Sequence, residues 1–261
     1  SDATPKDSMT APITWRVPDG GSLLLASRGG QIKKLLLASL LLAGAPAHGS
    51  EAGHPVTMWR VAGDNNSVYL LGSIHMLREQ DHPLPAVIDR AYEDADVVVM
   101  ELDMDDIDPA ATQAEFNKAG VLNDGTTLRD LMGEDSFLRA EQAAASIDIP
   151  LDLLAQSEPW LAAMTVELMM LYRIGFNPVL GVEMTLSNRA QRDGKPIAGL
   201  ETVEEQLGFL DGLPIEAQRE MLLQTLLQGA ALSEAVDDLV MAWRHGDTAA
   251  LETGLLDSMG E

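Results

Sequence analysis

Cysteine is absent from the 261 residues, which excludes disulfides, thiolate nucleophiles and thiolate metal ligands. Any bound metal must therefore be held by imidazole and carboxylate oxygen. Aromatic residues make up only 4% of the chain; with Leu, Ala and Met abundant, the composition favours helices packed on a modest sheet. Basic residues are also few, 17 Lys and Arg against 41 Asp and Glu, for a net charge of −24. That balance excludes a phosphate-backbone partner, which needs a basic patch, and suits solubility and cations. No HExxH helix, Gly-x-Ser-x-Gly elbow, Walker loop or Rossmann glycine set occurs, so a serine-hydrolase reading has no support.

What is present begins with a leader-like segment. Lys33-Lys34 precede the apolar run Leu35 to Ala43, and Ala45-Pro46-Ala47 supplies small residues at a cleavage spacing. This pattern predicts a secretory signal peptide over 33–47, with a mature chain from His48 and an exported, periplasmic or extracellular, protein. The apolar run is too short for a stable membrane span. Residues 1–32 read as an unpatterned upstream extension and are set aside from the fold.

From residue 55 onward the punctuation is regular. Thr57 to Ala62 and Ser67 to Leu71 flank the turn-forming Gly63-Asp64-Asn65-Asn66, which predicts a hairpin. Pro85 opens a helix over Ala86 to Ala95, and Val97-Val98-Val99 reads as a buried parallel strand ending before Glu101. Pro196 to Leu200 predicts a third strand, ending before Glu201, and Thr202 to Glu205 a capping box. Helices are expected from Trp160 to Ile174, from Pro214 to Gln228, and from Ser233 to a break at Gly246. The fold class is α/β: a small mixed sheet with a β-hairpin and a parallel βαβ unit, flanked by helices and carrying a large helical insertion between 105 and 195, in one domain over 48–261.

Strands that are parallel end at one edge of a sheet, where α/β proteins place their chemistry. His75, after Gly72-Ser73-Ile74, lies past the first; Glu101 and Glu201 lie past the others. Carboxylate with imidazole is a common pairing for a divalent cation. Each residue has a plainer reading: His75 as a satisfied strand-end histidine, Glu101 as the start of an acidic loop, Glu201 as an acid at a helix N-terminus. Glu183, near a helix start, is as readily structural as functional. His82 reads as a surface-loop residue, and His245 as a partner for the last carbonyls of its helix.

The motifs Gly72-Ser73-Ile74-His75, Val97 to Asp103, Pro159-Trp160, Gly181-Val182-Glu183 and Gly194 to Thr202 with Gln206 together resemble the TraB/GumN family, which includes the animal TIKI proteases. The resemblance covers roughly residues 56 to 257. It implies a metal-dependent hydrolase acting on a peptide or protein substrate, with Mn²⁺ or Co²⁺ as cofactor and Zn²⁺ as the alternative. His75, Glu101 and Glu201 are then the catalytic candidates, and His75, Glu101 and Glu183 the metal ligands. The family's second Gly-x-x-His motif does not occur after residue 75, so by this resemblance the chain looks C-terminally truncated. A non-enzymatic metal-, haem- or peptide-binding module, or an inactive fragment, is the alternative expectation.

Overall fold

A computed structural model describes residues 22–26, 56–64 and 66–259. The expected signal peptide over 33–47, the cleavage point and His48 lie outside the described residues. Five strands form one sheet: β1 (Ser22–Ala26), β2 (Met58–Ala62), β3 (Ser67–Leu71), β4 (Val97–Leu102) and β5 (Ile197–Glu201), in the order β2-β3-β1-β4-β5. The hairpin forms as expected. β2 and β3 pair antiparallel from Met58 opposite Leu71 to Ala62 opposite Ser67, and the Gly63 amide donates to Asn66 O at 2.8 Å to close the turn.

Helix α1 (Ala86–Asp94) follows β3 and buries Val87, Ile88, Ala91 and Tyr92, the apolar face that its sequence spacing prescribes. β4 then runs parallel to β5, and β1 runs parallel to both β3 and β4. One expectation changes here. The sequence sets residues 1–32 outside the fold, yet the backbone of Ser22–Ala26 pairs on one side with β3 and on the other with β4. The apolar run Leu23-Leu24-Leu25 has the composition of a strand in a parallel sheet. β3 and β4 thus share an edge, as the βαβ reading requires, but are not neighbours.

The insertion between β4 and β5 is helical: α2 (Pro109–Gly120), α3 (Leu128–Met132), α4 (Glu134–Ser146), α5 (Pro159–Arg173) and α6 (Val182–Asp193). Pro159 starts α5, where its missing N–H costs nothing, and Gly175, at φ +89°, follows its end. After β5 come α7 (Val203–Asp211), α8 (Ile215–Gln228), α9 (Leu232–His245) and α10 (Thr248–Met259). The capping box is present: Glu205 N donates to the Thr202 hydroxyl, and Thr202 N to the Glu205 carboxylate. Gly246, in the left-handed conformation, ends α9, and His245 Nδ1 lies 2.7 Å from Met241 O, as expected of a helix C-terminus.

Apolar burial divides into three clusters. One joins β2 to β4 with α1, α6 and α9; a second joins α3, α4, α5 and α8; a small third surrounds Trp160 with Leu207 and Leu210. α5 contributes to all three, so the insertion is packed onto the sheet domain. Among the described residues, no helix is long and apolar enough to cross a membrane.

Candidate functional site

The loop after β3 carries His75, and the chain fixes it from several sides. Trp243 Nε1 donates to Gly72 O at 2.6 Å from the buried face of α9. Further on, Leu77 and Asn177 exchange backbone hydrogen bonds at 2.9 and 3.3 Å. Arg78 pairs with Asp81 at 3.0 Å and Asp237 at 2.6 Å while lying 4.4 Å over the Phe176 ring. His82 belongs to the same arrangement, its Nε2 lying 2.8 Å from Leu180 O, and is only partly exposed.

The start of α6 presses against this loop. Val182 N donates to Ile74 O at 3.0 Å, and a Cβ on Gly181 would fall 2.1 Å from His75 O. Only glycine permits that approach. The Gly181-Val182-Glu183 tract therefore has a geometric meaning: glycine for the approach, valine for the backbone bond, glutamate for the contact. His75 Nδ1 lies 2.9 Å from Glu183 Oε1, with the His75 side chain 59% exposed and that of Glu183 13% exposed. Burial alone would raise the Glu183 pKa. The His75 ring, with Ser73 and the residue's own amide in the first turn of α6, outweighs burial and holds the carboxyl below its ordinary value.

Glu101 and Glu201 are not just past their strands but within them, in β4 and β5. Leu102 is in register with Glu201, so the pleat puts Glu101, one residue earlier, on the opposite face. Glu201 shares the face of Ile197, which packs on the main core; its Oε2 is buried without a partner. Glu101 accepts from Gln206 Nε2 at 3.4 Å, from α7. With β1 interposed, β3 and β4 are two strand spacings apart, about 10 Å. His75 is thus joined to Glu183, and neither Glu101 nor Glu201 completes a cluster with them. Among the described residues, no group of three or more His, Asp or Glu side chains is placed to hold a metal ion. Imidazole and carboxylate are the right donors for a divalent cation; a zinc site takes three or four protein ligands, of which His75 and Glu183 would supply two.

Beside His75 lies a cavity of about 720 Å³, lined mainly by apolar side chains from α2, α5 and α9. Glu167 of α5 lines it, is 9% exposed, and leaves Oε1 without a partner. Burial pushes its carboxyl pKa up to about 7. The sequence reading passes over Glu167. Its signal is a lone carboxylate inside the apolar run Ala162 to Tyr172, four residues before Leu171 on the buried side of the helix.

A small mixed α/β sheet with a large helical insertion, carrying an imidazole–carboxylate contact at the C-terminal edge of its parallel strands, defines the class of this protein. The TraB/PrgY/gumN family description matches residues 57–261, and the chain belongs to that family. It is 24% identical over 150 residues to the uncharacterized protein YbaP of Escherichia coli (strain K12), a match covering 58% of this chain and 54% of YbaP. The uncharacterized protein YbaP of Shigella flexneri matches at the same identity and coverage. The chain spans about half the length of these curated relatives. No solved structure matches it significantly.

Proposed function

We propose that this chain belongs to an exported, metal-dependent hydrolase that cleaves peptide bonds, with His75 and Glu183 as its metal-facing donors. The observation that carries the reading is their 2.9 Å contact at the strand-end edge of a TraB/PrgY/gumN family domain. The leader-like segment 33–47 supports export. A divalent cation there, Mn²⁺ or Co²⁺ with Zn²⁺ as the alternative, would polarise a scissile carbonyl and lower the pKa of a bound water. The chain's own contribution is to keep Glu183 ionised and to present an exposed imidazole on a pinned loop. Glu201 and Glu101, in β5 and β4 on opposite faces of the sheet, stand outside this contact and take no catalytic role in the proposal. A peptide is the proposed substrate.

The test is hydrolysis of a fluorogenic peptide mixture with added Mn²⁺ or Co²⁺ and with EDTA, using the protein, His75→Ala and Glu183→Gln. The expected result is metal-stimulated cleavage that falls about 100-fold or more in either variant, with an unchanged circular dichroism spectrum. Cleavage that is absent from the unsubstituted protein, or that survives in His75→Ala, overturns the reading.

A further inference from the structure

The cavity beside His75 is apolar on most of its wall, with Phe116, Leu161, Met164, Leu171 and Phe176 among its lining residues. Its volume of about 720 Å³ lies in the range of small-molecule sites. Within that wall stands Glu167, nine-tenths buried, with Oε1 making no hydrogen bond. No Lys or Arg occurs among the described residues lining the cavity, and its one imidazole, His75, contacts Glu183. A buried carboxyl oxygen without a donor costs free energy that a ligand's donor can recover.

We propose that the cavity binds an apolar molecule ending in a protonated primary amine, whose ammonium group pairs with Glu167. The ammonium supplies both the missing donor and the missing countercharge, whereas a hydroxyl supplies only the donor. Burial holds the Glu167 proton up to about pH 7. The net charge of −24 also draws cations to the surface and repels acids. Both a small free amine and the amino terminus of a hydrophobic peptide offer this chemistry. The inference does not depend on hydrolysis at His75.

Calorimetry with the full chain at pH 7.5 tests it, comparing 4-phenylbutylamine with 4-phenylbutan-1-ol, which has the same body and a neutral end. The amine is expected to bind at least tenfold more tightly. Glu167→Gln, which keeps the side-chain shape, should erase that preference, and Thr112→Trp, which fills the cavity from α2, should remove binding of both ligands. Leucyl-phenylalanine amide against its N-acetylated form separates the two sources: a peptide that binds more tightly than the phenylbutylamine, and only with its amine unblocked, marks a peptide terminus, and the reverse order marks a small amine. Equal binding of amine and alcohol, no binding of either, or a preference that persists in Glu167→Gln overturns the proposal.

Discussion

At the scale of single residues, Glu167 and Glu183 differ because their neighbours differ. Glu183 has the His75 ring beside it and stays ionised; Glu167 is buried in a mainly apolar wall, and its pKa rises to about 7. The pH consequence of Glu167 follows from its two states. Below pH 4.5 folded and unfolded chains both hold its proton, and between 4.5 and about 7 only the folded chain does. Stability therefore falls as pH rises through that window and stays at the lower level above it. The loss is about 3 kcal/mol. Urea denaturation at pH 4.5 and pH 8 should show Glu167→Gln gaining about that much relative to the unsubstituted protein between the two conditions. A constant difference between the two proteins would mean that Glu167 is ionised when folded. His75 was legible from its place after a strand, and Glu183 from the motif around it. Glu167 was not, because one acid in a helix carries no mark of what its wall is made of.

Elements decide which of those residues can meet. Gly181 is the point where α6 touches the loop after β3, and a methyl group there would collide with the His75 carbonyl. Gly181→Ala should cost about 1–3 kcal/mol in chemical denaturation and shift the amide resonances of Ile74 and His75. An unchanged midpoint would show that the loop yields at no cost. α1 and α6 are joined by the Tyr92 hydroxyl, which donates to Asp193 at 2.9 Å, and Lys195 donates to the Tyr92 and Ala95 carbonyls at the end of α1. Local chemistry named most helices well: Pro159, the Thr202–Glu205 box and Gly246 all stand at the ends their types predict. Strand ends were set less well. Apolar runs suggested that β4 and β5 stop before their glutamates, but ladder pairing carries each strand through Glu101 and Glu201. That residue or two matters, because alternation then sends the two carboxylates to opposite faces.

For the whole molecule, the segment before residue 48 poses a choice. Cleavage after Ala47 would release Ser22–Ala26, whose backbone joins the two halves of the sheet. Signal-peptide removal and a β1 in the mature sheet exclude one another. A chain of residues 48–261 would leave facing edges of β3 and β4 unpaired, an invitation to association. It should unfold at a lower urea concentration than the 261-residue chain and elute as a larger species in size exclusion. Equal stability and size would show that β1 contributes nothing to the fold. The acidic surface, by contrast, follows from composition at any length.

The sequence by itself determined the hairpin, the α1 face, the helix caps, the family and the residue types open to the chemistry, because these rest on local spacing and on which side chains exist. Tertiary structure alone decided the partners: that Ser22–Ala26 separates β3 from β4, that Glu183 rather than Glu101 meets His75, and that Glu167 stands unpartnered in an apolar wall. Those outcomes depend on strand order, on pleat register and on contacts between residues about a hundred positions apart. Local composition does not encode any of the three.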